Sequence, residues 1–213
     1  MIIAVDGPAA SGKGTLTRKL AEHFNLARLD TGMIYRAVGL KALEIGDPAD
    51  ENVAVEAARS LAFDDLDQAG LRDEAAGKAA SQVAAIPAVR DILLKFQRNF
   101  ATNPPNNKNG PVNGAVLDGR DIGTVVCPDA PYKLFISASS EVRAERRYKE
   151  LQERGEEAIR SAILRDIIDR DERDRSRTVA PLEPATDAEI IDTSDMDADA
   201  VFAAALNFIS SQS

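Results

Sequence analysis

The chain has 213 residues, of which 44% are hydrophobic, so it can bury one substantial core and still carry an inserted lobe. Its 26 basic and 35 acidic side chains give a net charge of −9, which argues against a general nucleic-acid-binding surface. Because the chain has one cysteine and one histidine, composition excludes internal disulfides, Cys/His zinc sites and catalysis by a Ser-His or Cys-His pair.

No stretch approaches the roughly 18 consecutive apolar residues of a membrane helix. The first predicted strand begins at the N-terminus, which leaves no room for a signal peptide. We therefore expect a cytoplasmic monomer with no membrane or nucleic-acid partner.

The first predicted element is an apolar strand that ends at Asp6 and opens into a glycine-rich loop and a helix. This phosphate loop consists of Gly7, Pro8, Ala9, Ala10, Ser11, Gly12, Lys13, Gly14 and Thr15. It carries the G-x-x-x-x-G-K signature in the strand-to-helix context that the signature requires. Its glycines let backbone N–H groups turn towards phosphate oxygens, the helix directs its positive dipole end at them, and Lys13 adds a mobile charge. The loop therefore predicts binding of a nucleoside triphosphate, which we take to be ATP.

Gly14 stands where most such loops carry the Ser or Thr whose hydroxyl meets Mg²⁺. The G-K-G-T ending is similar to that of nucleoside monophosphate kinases, in which the metal is held largely through water. We therefore expect Mg²⁺ without a direct bond from Thr15 and without a set of protein ligands.

Further along the chain, short apolar runs alternate with segments of helical period. The later strands are predicted at residues 26–29, 115–118, 132–136 and 190–191. Helices are predicted at residues 12–24, 31–45 and 51–61, and residues 79–101 are predicted to form helices joined or bent at Pro87. A further helix capped by Ser140 and a C-terminal one ending near Ile209 follow. A small strand pair is expected within residues 63–77, and residues 103–114, rich in Asn, Pro and Gly, are expected to form a surface loop.

This alternation predicts an α/β fold with a parallel sheet that is covered on both faces. Asp6, Asp30 and Asp118 each end a predicted strand. Because such sheets bind ligands at the carboxyl ends of their strands, the three acids and the phosphate loop should share one edge.

Residues 165–177 hold five arginines and five acids, and no lysine. One interpretation is a solvated helix face of i,i+4 ion pairs, with Ile159, Ile163 and Ile167 as its apolar stripe. The other is an anion-binding segment, because the planar fork of arginine grips phosphate oxygens in two places. A monophosphate acceptor is already anionic at neutral pH and needs no general base, which suits a chain rich in arginine and poor in histidine better than a hydroxyl acceptor does. An aspartate could still serve as a base for a hydroxyl acceptor.

These stretches together resemble bacterial-type cytidylate kinases, of the P-loop nucleoside monophosphate kinase superfamily. The matching residues are 6–8, 12–15, 29–32, 35–36, 80–84, 89–90, 118–126, 173–177 and 180–182. The resemblance implies a P-loop three-layer sandwich whose core domain comprises residues 1–61 and 114–213, with a helical lid at about 150–177. Residues 62–113 would form an inserted lobe that binds the monophosphate.

The resemblance also implies transfer of the γ-phosphoryl group of ATP to CMP or dCMP. Its catalytic residues would be Lys13, Arg36, Arg120 and Arg177. The substrate-binding residues would be Thr31, Tyr35, Arg36, Ser81, Arg90, Arg120, Asp121, Arg170, Asp174 and Arg177. Within this set, Arg170 and Asp174 would meet the ribose, and Ser81, Arg90 and Asp121 would read cytosine. An aspartate also suits that reading on chemical grounds, because it accepts a hydrogen bond from the exocyclic amine of cytosine, where uracil presents an acceptor.

Two alternatives stay open at this point. One is a kinase of the same fold that acts on another nucleoside monophosphate or on a small metabolite. The other is a nucleotide-binding switch such as a GTPase, which would carry an N-K-x-D motif at a strand end. The Asn107-Lys108 pair continues as Asn109-Gly110, which disfavours the switch.

Overall fold

The structure is a computed structural model, and it describes residues 1–68, 70–108 and 110–212. Its strands are β1 (Ile2–Asp6), β2 (Ala27–Asp30), β3 (Ala115–Gly119), β4 (Tyr132–Ser137) and β5 (Glu189–Asp192). Its α-helices are α1 (Lys13–Phe24), α2 (Thr31–Ile45), α3 (Glu51–Arg59), α4 (Glu74–Val83), α5 (Pro87–Thr102), α6 (Ser140–Glu153), α7 (Arg160–Arg175) and α8 (Ala198–Ser211). None of the helices in these ranges combines the length and the apolar content needed to cross a bilayer.

The five strands form one parallel sheet in the order β2-β3-β1-β4-β5. The central strand β1 pairs Ile3 with Val116 of β3 and Val5 with Leu134 of β4. The non-consecutive order requires crossovers, and helices supply them. The predicted α/β fold with a central parallel sheet is confirmed.

The chain divides into two compact units. The core unit comprises Met1–Arg28 and Pro104–Ser213, and the helical unit comprises Leu29–Asn103. The predicted monophosphate-binding lobe at residues 62–113 and the predicted lid at 150–177 are functional divisions, and they stay predictions. Ala69 and Asn109, within the predicted lobe, lie outside the described residues.

The hydrophobic core of the core unit lies on the sheet. Ile3 and Val5 of β1 are fully buried beside Leu134 and Ile136 of β4. Helices α1 and α8 contribute the buried residues Leu16, Leu20, Val201, Ala205 and Ile209. Each large aliphatic side chain buried in this way stabilises the fold by about 1.5–3 kcal/mol, and together they fix the edge of the sheet from which the phosphate loop emerges.

In the helical unit, α2 packs closely on α4 because Gly39 has no side chain. A Cβ at this position would lie 2.8 Å from the backbone nitrogen of Ala80 and 2.9 Å from the Cβ of Ala79. The close approach of the two backbones therefore depends on Gly39.

The structure corrects the predicted strand pair at residues 63–77. Phe63–Asp67 form a 3₁₀ turn, and α4 begins at Glu74. The turn closes because one carboxylate oxygen of Asp65 accepts a hydrogen bond from the backbone N–H of Ala62 at 2.7 Å and pairs with Lys41 at 2.7 Å. Asp65 thus satisfies one backbone N–H of the turn and is itself paired with α2.

Two expectations about helices were also wrong, one of them in part. The cap of α6 is Ser139 instead of Ser140, since the Ser139 hydroxyl accepts a hydrogen bond from the N–H of Val142 at 3.3 Å. The isoleucine stripe predicted for α7 forms only in part: Ile167 is buried and Ile163 is half-buried, but Ile159, which caps the helix, is 70% exposed. The buried residues of α7 are Ile167, Asp171 and Asp174, so this helix packs largely through acids.

The predicted surface loop at residues 103–114 contains no helix or strand at its described positions, and Asn109 lies outside them. Its asparagines dock on the end of α1. The Asn113 amide donates to the carbonyl of Phe24 at 2.8 Å, and the Asn107 amide donates to the side chain of Asn25 at 2.7 Å. The asparagines thus satisfy polar groups where α1 ends, which gives this loop a structural role.

Candidate active site

The phosphate loop follows β1 directly and starts α1. Gly7 has φ +144°, and a Cβ there would lie 2.0 Å from the carbonyl oxygen of Ile136, so only glycine fits. Gly12 has φ +97° at the N-cap of α1, where no side chain caps the helix. The backbone N–H groups of the first turn are thus presented together with the positive end of the helix dipole, which is the arrangement that binds phosphate.

A polar group inside the loop also fits a bound anion. The Ser11 hydroxyl is buried and has no hydrogen-bond partner among the described residues. A buried hydroxyl without a partner is costly, and a phosphate oxygen would satisfy it.

Lys13 is held across the loop by two groups. Its ammonium donates to the carbonyl of Pro8 at 2.7 Å and lies 3.9 Å from a carboxylate oxygen of Asp118. Both side chains are buried. Asp118 near the end of β3 thus balances the charge of Lys13, in line with the expectation that strand-end acids lie near the loop.

A cavity of about 260 Å³ opens beside the phosphate loop. Ser11, Gly12 and Thr15 form one side, and Leu16, Met196 and Val201 add apolar surface. Across from them, Arg146 donates to the carbonyl of Thr193 at 2.6 Å and to its hydroxyl at 2.9 Å. A guanidinium plane beside apolar side chains suits the face of a nucleobase.

Asp6 ends β1 immediately before the loop and is almost fully buried. Its two carboxylate oxygens accept hydrogen bonds from the backbone N–H groups of Ile122 at 2.8 Å and Gly123 at 2.7 Å. Burial raises the pKa of Asp6 to about 7, although the two hydrogen bonds act in the opposite direction. Asp6 therefore holds the start of the π-helical turn Ile122–Val126, which directly follows Asp121.

Three of the arginines predicted as site residues gather around Asp174 on α7. Arg120 donates to its carboxylate at 3.1 Å, Arg177 pairs with its other oxygen, and Arg170 lies at 3.9 Å. Burial alone would raise the pKa of Asp174, but Arg120, Arg177 and Arg170 outweigh it and hold that pKa below its usual value. The core unit thus brings together four of the predicted site residues.

The helical unit carries five of the predicted site residues, namely Thr31, Tyr35, Arg36, Ser81 and Arg90. Arg36 donates to the carbonyls of Leu71 at 2.9 Å and Asp73 at 3.2 Å. Its guanidinium also lies against Gly77, where a Cβ would be 3.2 Å away, and the Ser81 hydroxyl donates to the Gly77 carbonyl at 3.2 Å.

In the helical unit, a contact between an arginine and an aromatic ring joins α5 to α2. The Arg90 guanidinium lies 5.9 Å from the ring centroid of Tyr35. Thr31 is buried at the start of α2. The helical unit therefore brings Arg36 towards Ser81 and Tyr35 towards Arg90, all on or next to α2.

The sequence of this chain matches the model of a known protein family. The sequence model of the family described as "Cytidylate kinase" matches residues 3–211. The chain belongs to the cytidylate kinase family. The resemblance noted in the sequence is therefore confirmed over nearly the whole chain.

Individual relatives give the same result. The chain is 60% identical to a cytidylate kinase of Paramagnetospirillum magneticum over 99% of its own length and 98% of that of the relative. It is 55% identical to a cytidylate kinase of Methylocella silvestris, covering 99% of this chain and 94% of the relative. A crystal structure of an uncharacterized protein from Eubacterium ventriosum matches with a TM-score of 0.56 and 14% identity over 99% of both chains, which supports the fold alone.

As a member of the cytidylate kinase family, the chain is a kinase that transfers a phosphoryl group to a nucleoside monophosphate. Family membership implies the use of ATP. Within the described residues, no cluster of three or more His, Cys, Asp or Glu side chains could hold a metal ion. Asp118 supplies carboxylate oxygens beside Lys13 of the phosphate loop, and oxygen is the ligand atom that Mg²⁺ takes in proteins.

Sequence reasoning missed Arg146 and Thr193 of this kinase. Thr193 directly follows β5, so the strand-end argument that found Asp6 and Asp118 could have found it as well. Arg146 carried no such signal, because α6 contains several arginines and only the fold shows that Arg146 and Arg143 reach the phosphate loop.

Proposed function

We propose that this kinase transfers the γ-phosphoryl group of ATP to CMP or dCMP, giving CDP or dCDP and ADP. The observation that carries the proposal is the gathering of Arg120, Arg170 and Arg177 around one buried carboxylate in the unit that also holds the phosphate loop. Arginine forks at a phosphate-binding site suit transfer between two polyanions.

The donor would bind along the phosphate loop. Backbone N–H groups and the Ser11 hydroxyl would contact the phosphates, and Lys13 would reach the transferred group. The base would lie in the cavity beside Arg146. Mg²⁺, held by phosphate oxygens and water, would neutralise charge on the donor.

The acceptor would be bound by the residues that the family resemblance indicates. Arg36, Arg120 and Arg177 would bind its phosphate, and Thr31 and Tyr35 would be further substrate-binding residues. Arg170 and Asp174 would meet the ribose. Ser81, Arg90 and Asp121 would read cytosine, with Asp121 accepting from the exocyclic amine.

In this proposal Asp174 also pairs with arginines before the acceptor binds. It neutralises Arg120 and Arg177 in a buried setting, where unpaired charges would be costly. When the acceptor binds, its phosphate would replace Asp174 as the partner of these guanidinium groups. The Asp174 carboxylate would then accept hydrogen bonds from the sugar hydroxyls.

The chemistry needs no general base. An oxygen of the acceptor phosphate, already ionised at neutral pH, forms the new bond to the γ-phosphorus while the bond to the bridging oxygen of ADP breaks. The protein aligns the two oxygens, neutralises the transferred group with Lys13 and the arginines, and keeps water out. The site is therefore arranged for positioning and charge stabilisation.

The test is a coupled assay of ADP release with ATP and each of CMP, dCMP, UMP, AMP and GMP. We expect kcat/KM for CMP and dCMP to exceed the values for the other acceptors by at least about 100-fold, which is the scale of discrimination by hydrogen bonding. Preference for another monophosphate would contradict the substrate assignment. ADP release that no acceptor accelerates would contradict acceptor phosphorylation altogether.

A further inference from the structure

Arg143 on α6 is a buried arginine whose hydrogen bonds reach three separate parts of the core unit. It is 3% exposed. Its Nε donates to the carbonyl of Ala138 at 2.9 Å, and Nη1 donates to the carbonyl of Ala9 at 3.2 Å. Nη1 and Nη2 also form a two-point pair with the carboxylate of Asp171 at 3.0 and 2.5 Å. One guanidinium thus joins the end of β4, the phosphate loop and α7.

Asp171 is the counterpart of Arg143 on α7. It is 4% exposed and directly follows Arg170 in the sequence, three residues before Asp174. Residues at this spacing share one helix face. Asp171 faces Arg143 while Asp174 faces Arg120, so two ion pairs from the core unit hold the buried side of α7. Arg175, a largely exposed side chain, lies 3.8 Å from Asp171 and completes its charged surroundings.

The chemistry of the buried pair indicates what it does. A buried ion pair contributes little net stability compared with an apolar contact, but it specifies one geometry because its fork must align. Apolar packing from α7 comes mainly from Ile167 among its buried residues. The two acids therefore set the rotation of α7 and its position relative to Arg143 and Arg120.

We infer that Arg143 and Asp171 are a positioning pair that fixes the register of α7 against the phosphate loop. Through this pair, the donor-binding loop and the helix that carries Arg170 and Asp174 form one mechanical unit, so that a triphosphate in the loop stabilises the placement of α7. The inference rests on the proposed function, because it assumes that the arginines around Asp174 serve phosphoryl transfer.

The variants that test the pair are Asp171→Asn and Arg143→Lys. The first keeps the shape of the side chain and removes its charge, and the second keeps the positive charge and removes the fork. Glu145→Gln is the matched control, since Glu145 on α6 pairs with Arg160 on α7 at 2.9 Å at an exposed position. It breaks an ion pair between the same two helices without touching the loop.

For Asp171→Asn we expect hydrogen exchange across residues 160–175 to rise at least about tenfold, while the sheet keeps its protection. We expect kcat to fall at least about tenfold with KM for ATP within about threefold, because a small displacement of positioning groups mainly affects the reacting geometry. Arg143→Lys should reproduce the loss of kcat, and Asp171→Asn added to it should cost little more. Glu145→Gln should match the unmodified protein in both measurements.

A folded Asp171→Asn variant with kcat within twofold of the unmodified enzyme would overturn the inference, as would α7 exchange no faster than in Glu145→Gln. A further measurement needs no variant. A nonhydrolysable ATP analogue should slow exchange in α7 of the unmodified enzyme, and unchanged exchange at saturating analogue would also overturn it. Neither exchange measurement involves the acceptor, so failure of the substrate assignment would leave them unaffected.

Discussion

Asp6 accepts a hydrogen bond from the backbone N–H of Gly123 at 2.7 Å, across 117 positions of sequence. The contact joins the last residue of β1, just before the phosphate loop, to the turn that follows Arg120 and Asp121. Donor-binding and proposed acceptor-reading segments therefore share one buried carboxylate, and burial raises the pKa of that carboxylate to about 7.

We predict that Asp6 makes stability fall as pH rises. Its pKa lies near 7 in the folded protein and at 3.8 for an ordinary aspartate, so between these values the folded state holds the extra proton. Its contribution is therefore fully present below about pH 4 and is lost as pH approaches 7. Urea unfolding of Asp6→Asn and the unmodified protein should give a stability difference that changes by up to about 1.4 kcal/mol per pH unit between pH 5 and 6.

Asp129→Asn serves as the control for this measurement, because Asp129 is an exposed aspartate three residues after the Ile122–Val126 turn that Asp6 contacts. Its stability should follow that of the unmodified protein at each pH. Parallel stability curves for Asp6→Asn and the unmodified protein would show that Asp6 titrates normally.

Lys13→Met should lower kcat by at least about 100-fold, because it removes the positive charge that we propose reaches the transferred group. Steady-state kinetics with saturating ATP measure the effect, and circular dichroism checks the fold. Lys19→Met is the matched control, since Lys19 lies on the same helix and pairs with Asp199 at the surface. Equal kcat values for Lys13→Met and Lys19→Met would contradict a catalytic role for Lys13.

Asp174→Asn should destabilise the protein by about 3 kcal/mol, since it leaves Arg120 and Arg177 without their buried counter-charge. Because the pKa of Asp174 is depressed, its stabilising contribution is present at neutral pH and is lost only as pH falls below the usual aspartate range. Denaturant unfolding at pH 7 measures the loss. Asp169→Asn, an exposed change on the same helix, should cost less than about 0.5 kcal/mol, and an equal loss in both variants would contradict the arginine cluster.

Much of this architecture could be predicted from local pattern. The glycine-rich loop lies between a strand and a helix, and Asp6 ends β1, because both features depend on short-range spacing. The local sequence of residues 63–77 was misleading, because it indicated a small strand pair. Acids in this segment close a turn through Asp65, a contact that depends on Lys41 of another helix.

Periodicity also failed for α7. Its isoleucines indicated an apolar face, but its buried face includes Asp171 and Asp174. Their partners, Arg143 and Arg120, are 28 and 54 positions away in sequence, so no pattern within the helix could indicate which charges are buried. Arg146 was missed for a similar reason, because Ser11, its contact in the phosphate loop, is 135 positions away in sequence.

The most direct test of the account compares kcat/KM for CMP and UMP in the unmodified enzyme and in Asp121→Ala, with the exposed Asp129→Ala as control. We predict a preference for CMP of at least about 100-fold that falls below about tenfold in Asp121→Ala and persists in Asp129→Ala, because the lost carboxylate accepted from the cytosine amine. An unchanged CMP-to-UMP ratio in Asp121→Ala would contradict the account.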